Sequence, residues 1–480
     1  MIEIDHIVII LFCGSAILLS CAAAGHALLH KRDSRSALVW VSVNLTLPLI
    51  GPFFYWCLGI NRISRRAKNW LESGRWLEKS RIFSMESETP LSEILPVSAG
   101  HLTGLQLLTG RIVMTRQRAG NSISPLIDGE EAYSAMLLAI QGAQETVNLS
   151  SYIFDTDGIG AEFVKQLTAA SLRGVAVRII IDALGEKYSR LSPRKAFRGT
   201  SVRVVRYLPL RHGAYINLRN HRKLLIVDGR EAFTGGMNIR SRHLKSSKLT
   251  DNPVHDVHFR VMGPVINDLQ NIFLGDWYFV TGEKLHAPSF FPTIESHGSA
   301  LVRCISDGPD REFRKIEQII IGALSCAKQQ VFIMTPYFIP NREMMSALIT
   351  AVLRGVEVCI VLPALNNLPF VHWASRAFLW ELLMNGIRVF YQPPPFVHTK
   401  LLLVDYIWTL LGSANLDTRS LRLNFELDLS VFDEKLSLDI KQHFDQAIAQ
   451  SHEISLAEVN QFSLSIRLRD NFARLFSPYL

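Results

Sequence analysis

Two stretches of the chain carry the same polar skeleton. In the first, His221 is followed by Lys223, an apolar run ending at Asp228, and a turn containing Gly235, Gly236 and Asn238. In the second, His398, Lys400, Asp405, Gly412, Ser413 and Asn415 repeat that order. An imidazole titrates near neutrality, so such a histidine suits nucleophilic attack or proton transfer. Side chains alternate along a strand, so a His and a Lys two residues apart share a face, which sets a positive charge beside the ring. A lone His-x-Lys is weak evidence, because a partly buried structural histidine gives the same pattern. Two copies at matching places are not explained that way. Asp228 and Asp405 have the opposite parity and close each apolar run, so they either join the catalytic set or brace the turn that follows. Gly235, Gly236, Gly412 and Ser413 either admit a close backbone approach to a ligand or form a plain turn.

The elements that must position these groups also recur. "EEAYSAMLLAIQGAQ" has helical spacing and leads into a strand at "TVNLSSYIF"; "GAEFVKQLTAASLRG" is a second helix leading into "VAVRIIID". Later, "FRKIEQIIIGALSCAKQ", "QVFIMTPYFI", "MMSALITAVLRG" and "VEVCIVLP" repeat helix, strand, helix and strand. His398 follows His221 by 177 residues, and Arg354 of the second "RGV" follows Arg173 of the first by 181. Nearly equal offsets mean a duplicated unit of domain size, too long for a solenoid repeat. Alternating helix and strand predicts an α/β architecture.

Hydrophobic residues make up 48% of the 480, the formal charge is +8, and the mean hydropathy is +0.17. A basic chain suits a polyanionic partner, either nucleic acid or an anionic membrane surface. The apolar excess is concentrated at one end. Ile7–Leu29 and Ala37–Ile60 contain no Lys, Arg, Asp or Glu, and each has the length of a membrane-crossing helix. The first six residues carry Glu3 and Asp5 and no Lys or Arg, which argues against a cleavable signal peptide. We therefore expect a two-helix membrane hairpin. Lys31, Arg32 and Arg35 between the helices are outnumbered by Arg62, Arg65, Arg66 and Lys68 after them, which favours a cytoplasmic main body. The continuation through Trp70 and Trp76 to Arg81 reads as a segment at headgroup level or as a solvated linker helix. The six cysteines, Cys13, Cys21, Cys57, Cys304, Cys326 and Cys359, form no metal-spaced cluster and are expected to be buried thiols in a reduced compartment.

H-x-K-x-x-x-x-D, present twice and trailed by G-x-x-N, resembles the signature of the phospholipase D superfamily. The apolar N-terminus with "LPLIG", together with "TPYFIP", "WASRAFLWELL", "NLDTRSLRLNFE" and the terminal "LFSPYL", is similar to bacterial cardiolipin synthases over nearly the whole chain. The resemblance implies an α/β fold of two tandem halves, each a sheet flanked by helices, related by a pseudo-twofold axis. The expected domains are a transmembrane hairpin at 1–60, a basic juxtamembrane linker at 61–110, a first half at 111–290 and a second at 291–480. It also implies one shared site in which both histidines act on one phosphate. One imidazole would form a phosphohistidine-type intermediate and the other would carry the proton of the leaving and entering alcohols. Family analogy alone makes His221 the nucleophile and His398 the general acid/base. Lys223 and Lys400 would neutralise the phosphate, with Asn238 and Asn415 as further donors. Asp256 and Glu426 would hold the histidines, and Asp228 and Asp405 complete the motifs. No metal or other cofactor is expected.

The implied reaction joins two phosphatidylglycerol molecules into cardiolipin with release of glycerol, at a bacterial inner membrane. Anionic phospholipids and the bilayer are then the partners, not nucleic acid. Alternatives are a phospholipase D-type hydrolase, a phosphatidyltransferase with another donor such as phosphatidylethanolamine, a nuclease, or a non-catalytic lipid-binding protein. The membrane hairpin disfavours a nuclease, and paired histidines are superfluous for mere headgroup binding. "PFVHWASRAFLWELL" is either core or the edge of a lipid entrance. The basic, apolar C-terminal "FSLSIRLRDNFARLFSPYL" either lies on a membrane or packs as an ordinary terminal segment.

Overall fold

The structure is a computed structural model that describes residues 2–31, 34–59, 97–113, 115–208, 218–246, 252–285, 287–309, 314–477 and 480. The chain divides into two compact units, Met1–Lys68 and Asn69–Leu480.

In the first unit, one helix spans Ile2–His30, and its His6–His30 portion is long and apolar enough to cross a membrane. The second apolar stretch departs from the expected hairpin arm. Its helix covers only Ser34–Thr46, the chain turns through Leu47–Leu49, and a short helix at Ile50–Phe54 continues into a π-helical turn at Tyr55–Gly59. Pro48 cannot donate to the helical ladder and Leu49 adopts a positive φ of 76°, so the helix is interrupted. Tyr55 Oη lies 2.8 Å from His26 Nδ1, which ties the bent segment to the long helix. Cys13, Cys21 and Cys57 are exposed in this unit, contrary to expectation, because they sit on the outward sides of its apolar helices. Cys304 and Cys359 are buried. The expected Trp-containing segment from Arg62 to Arg81 lies outside the described residues.

The second unit is built on one long mixed sheet and a small two-stranded one. In chain order its strands are β1 (Arg118–Ile127), β2 (Thr146–Ser151), β3 (Ala176–Asp182), β4 (Arg203–Tyr207), β5 (Arg219–Asn220), β6 (Leu224–Val227), β7 (Glu231–Gly235), β8 (Val254–His255) and β9 (Val257–Met262). They continue as β10 (Ala300–Asp307), β11 (Gln330–Met334), β12 (Glu357–Pro363), β13 (Arg388–Gln392), β14 (Phe396–Val397), β15 (Leu401–Val404), β16 (Trp408–Gly412), β17 (Asn424–Phe432) and β18 (His452–Glu453). From the middle outwards, one wing runs β1-β9-β7-β6-β2-β3-β4 and the other β10-β17-β16-β15-β11-β12-β13, ending on β18. The two orders correspond strand for strand. Antiparallel pairing of β1 with β10 joins the wings. Each wing has its own apolar core, one around Phe154, Phe163, Ile179 and Phe233, the other around Ile320, Leu348, Ile360 and Trp408.

The repeated "RGV" now has a physical role. Arg173 donates to the carbonyls of Ile140, Gln141 and Ala143 at 2.9–3.3 Å, capping the C-terminal end of helix Asp128–Gly142. Arg354 does the same for helix Lys315–Cys326 through Leu324, Ser325 and Ala327. A guanidinium suits the negative end of a helix dipole. Gly174 and Gly355 follow at φ 96° and 88°, the left-handed conformation that ends their own helices at little steric cost.

Candidate active site

Each His-x-Lys pair lies at the entry to its motif strand, just ahead of β6 or β15, and not within it as the alternation predicted. A second, crosswise pairing positions both. β5 runs parallel to the start of β17, and His221 N–H donates to Phe425 O at 2.9 Å. β14 runs parallel to β8, and His398 N–H donates to His255 O at 2.7 Å. The chain leading into each histidine is thus hydrogen-bonded beside the other half's carboxylate, Glu426 on β17 or Asp256 directly after β8.

The carboxylates cross over accordingly. His221 Nδ1 lies 3.0 Å from Glu426 Oε2 of the second half, and His398 Nδ1 lies 2.9 Å from Asp256 Oδ2 of the first. Both carboxylates are buried, while the rings keep a small exposed edge. The environments of the two Nδ1 atoms differ. His221 Nδ1 also faces the Ser413 carbonyl at 3.1 Å. Both neighbours only accept, so Nδ1 carries the proton and Nε2 presents its lone pair. His398 Nδ1 has Asp256 on one side and Lys400 Nζ at 2.9 Å on the other, an acceptor and a donor.

Glu426 also accepts from Ser413 Oγ at 2.6 Å and from Asn424 Nδ2 at 3.0 Å. Asp256 instead abuts Gly236, where a Cβ would stand 2.4 Å from Oδ1; only glycine fits there. The residue inside the first His-x-Lys contributes as well. Arg222 is buried, pairs with Asp276 at 2.5 and 2.7 Å, and donates to Ser306 Oγ and to the Glu426 carbonyl. It anchors the first motif to the second half.

Charges in the site follow from burial. Desolvation lowers His221, with Glu426 opposing, and holds His398 well below its ordinary value, with Lys400, Lys223 and His221 adding to the depression. Burial brings Lys223 down to about 7 and Lys400 down to about 8. Burial works to raise Glu426, but His221, Lys223 and Ser413 together keep it below the usual range; Asp256 is raised by burial despite Lys400. The crossed carboxylates bring the two His-Lys pairs into one site, and Lys400 accordingly acts on His221 while Lys223 and His221 act on His398. Burial thus favours the neutral form of both imidazoles and makes both ammonium groups lose their protons more easily.

Asn238 Oδ1 accepts from Ile153 N–H at 3.1 Å, and Asn415 Nδ2 donates to Ser420 Oγ at 3.1 Å, leaving Asn415 Oδ1 buried without a protein partner. Asp228 and Asp405 are not in this cluster. Asp228 accepts from the N–H groups of Gln144, Glu145 and Thr146, each at 2.8 Å. Asp405 accepts from those of Lys328, Gln329 and Gln330, also at 2.8 Å, and from His101 Nε2 at 2.7 Å. Both stand at positive φ, 50° and 52°, where the strand ends. With their oxygens taken by backbone N–H groups of a helix-to-strand turn, Asp228 and Asp405 brace that turn, one of the two roles expected of them. Among the described residues, no group of three or more His, Cys, Asp or Glu is arranged to hold a metal.

Sequence reasoning missed the aromatic walls. The Tyr152 ring stands 5.5 Å from that of His221, and Tyr337 and Phe396 stand 6.4 and 6.0 Å from His398. The signal was a tyrosine shortly after the corresponding strand in each copy, in "SYIF" and "PYFI". His243, His258 and Asp428, all buried near the site, carried no comparable signal.

Residues 136–277 and 320–448 both match the family described as cardiolipin synthase, PLD-like domain. The chain belongs to the cardiolipin synthase family. Cardiolipin synthase of Oceanobacillus iheyensis is 30% identical over 460 residues, covering 94% of this chain and 95% of that protein. Cardiolipin synthase 1 of Staphylococcus epidermidis is 31% identical over 468 residues, covering 94% and 93%. Among solved structures, phosphatidylserine synthase of Haemophilus influenzae aligns with 78% of this chain and all of its own at a TM-score of 0.62 and 14% identity, a likeness of fold. The paired motifs of this cardiolipin synthase family member therefore sit in the two matched segments, one in each wing.

Proposed function

We propose that the protein is a membrane-bound cardiolipin synthase that transfers a phosphatidyl group from one phosphatidylglycerol to another and releases glycerol. The observation that carries this is the pair of His-Lys groups facing one another, each imidazole held by a carboxylate of the opposite half, in a member of the cardiolipin synthase family. His221 is the nucleophile, because its Nδ1 stands between two acceptors and Nε2 is left as the attacking atom. Nε2 attacks phosphorus, the bond to the headgroup glycerol breaks, and the departing alkoxide takes a proton from His398. The headgroup hydroxyl of a second phosphatidylglycerol returns a proton to His398 and attacks the phosphatidyl-His221, breaking the P–N bond.

His398 is suited to the proton work, with Asp256 and Lys400 both touching its Nδ1. An arriving phosphodiester anion opposes the desolvation that depresses His398 and both lysines, so binding recharges the acid and the ammonium groups. Lys223 and Lys400 then stabilise the non-bridging oxygens, with Asn238 and Asn415 as neighbours. The body comprises a first half at 111–290 and a second at 291–480; of the expected linker, Leu102 and Leu105 pack into the second half's core, and the chain before residue 97 leads to the apolar N-terminus. That N-terminus anchors it to the bacterial inner membrane, with the body on the cytoplasmic side as the basic residues after the apolar stretches favour. Purified protein given labelled phosphatidylglycerol at native lipid density should yield cardiolipin and glycerol in near-equal amounts, and added glycerol should drive the exchange backwards. Phosphatidic acid as the main product would make it a hydrolase.

A further inference from the structure

The helix Leu464–Arg474 turns its apolar stripe away from the protein. Leu464, Leu468, Phe472 and Leu475 are 70%, 62%, 58% and 73% exposed, and their spacing of four, four and three places them on one face. The opposite face is fixed inward. Ala473 is buried, and buried Asp470 accepts from Arg376 at 2.8 and 2.5 Å and from Arg469 at 3.1 Å. Downstream, the Leu480 carbonyl accepts from Arg419 N–H at 2.8 Å. A helix held by its polar side needs something else to cover its apolar side.

The exposed apolar surface continues towards the site. Phe472 stacks edge-on with Phe476 at 5.4 Å, and Phe476 with Phe370 at 5.5 Å. Ahead of Phe370, the turn after β12 exposes Leu365 and Leu368. That turn is tied to the site itself: Tyr337 Oη donates to Asn367 Oδ1 at 2.8 Å, and the Tyr337 ring stands 6.4 Å from that of His398. Basic groups flank the stripe. Arg467 is exposed, and the guanidiniums of Arg469 and Arg474 lie over Trp373 and Phe378 at 4.6 and 4.5 Å.

We infer that the stripe Leu464–Leu475, continued through Phe476, Phe370 and Leu368 to the mouth beside Tyr337, is the face by which the second half rests on an anionic bilayer. Outward Leu and Phe with Arg at their flanks is the composition of an interfacial helix, whose apolar face enters the acyl boundary while guanidiniums stay among the headgroups. The reason for a ramp ending at His398 rests on the lipid chemistry proposed above. A phosphodiester must reach the imidazoles while its acyl chains stay in an apolar phase, and this surface offers that route.

The test uses full-length protein in nanodiscs containing phosphatidylglycerol, with a photoactivatable benzoylphenylalanine replacing Leu468 or, as a control in the other half, Leu172, which is 84% exposed. Irradiation should attach lipid at position 468 several-fold more than at 172. A protein–protein adduct at 468, meaning that a second copy covers the stripe, or lipid labelling no higher than at 172, would overturn the proposal. As a second measurement, Leu468→Gln combined with Phe472→Gln should raise KM for lipid in mixed micelles about ten-fold, the loss of two partly inserted side chains, with kcat held within about two-fold. An unchanged KM would equally overturn it. Crosslinking is read without turnover, so an error in the proposed reaction and an error in the docking face give separate results.

Discussion

The two halves place a histidine, a lysine and an asparagine at equivalent points beside equivalent strands, yet they support them differently. His221 is clamped between two acceptors, the Glu426 carboxylate and the Ser413 carbonyl, and Ser413 Oγ in turn steadies Glu426. His398 is held between Asp256 and Lys400, and Asp256 has only Gly236 where the other half has a serine. Behind these turns, the first half has His258, which burial lowers to about 4, and the second has Asp428, which burial raises to about 8. In the reaction proposed above, a duplicated backbone would then not mean duplicated roles: one imidazole has its tautomer set for attack, and the other has a neighbour for each direction of proton transfer.

The largest effects should come from the imidazoles. His221→Ala and His398→Ala should each lower turnover by at least about 10⁴-fold while leaving the thermal unfolding midpoint nearly unchanged. Acid-quenched reactions with acyl-labelled lipid should separate them, because His398→Ala can still acquire covalent label and His221→Ala cannot. Label on the His221→Ala protein would reverse the assignment.

Breaking the crossed supports should cost less. Glu426→Gln should slow formation of the covalent intermediate about 10²-fold, since an amide donor can turn towards Nδ1 and loosen the tautomer. Asp256→Asn should act instead on its resolution by the acceptor alcohol. Rapid-quench measurement of the two phases distinguishes these, and the same phase slowed in both variants would mean the halves are functionally alike.

The pH profile tests the lysines. Burial lowers both, so each is charged below its own value and neutral above it. In the free enzyme, kcat/KM should fall on the alkaline side as pH passes about 7 to 8, where Lys223 and then Lys400 lose their protons. The profile of kcat should fall at higher pH, because bound phosphate restores the ammonium forms. His221, which attacks as the neutral ring, is also lowered, which puts the acidic limb below pH 6.5, its ordinary value. A kcat/KM that stays flat through pH 9 would break this account.

The smallest effects on rate should come from the turn braces. Asp228→Asn and Asp405→Asn should each cost about 1–3 kcal/mol of stability, as backbone N–H groups lose an acceptor, with kcat well below the melting range changed by no more than about two-fold. Asp405→Asn should be the worse of the two in a melting experiment, because that carboxylate also meets His101. A large loss of kcat in a fully folded Asp228→Asn protein would return the residue to the catalytic set.

Much of this was legible in the chain itself. Strand and helix order, the duplication, the two His-Lys pairs and the apolar N-terminus all rest on local spacing, and local spacing survives in one dimension. The expectation of a single helix over Ala37–Ile60 passed over one local signal, Pro48, whose missing N–H interrupts the ladder there. What spacing cannot carry is partnership between distant segments. Asp256 follows His221 by 35 residues and Glu426 follows His398 by 28, an order that suggests support within each half. The pairing of β5 with β17 and of β14 with β8 exchanges them. The same holds for Asp228 and Asp405, whose motif positions look catalytic until the backbone N–H groups that occupy them are seen. It also holds for the C-terminal stripe, whose amphipathic pattern does not say which side faces the protein. Only the fold decides that, by burying Asp470 against Arg376 and leaving the leucines outside.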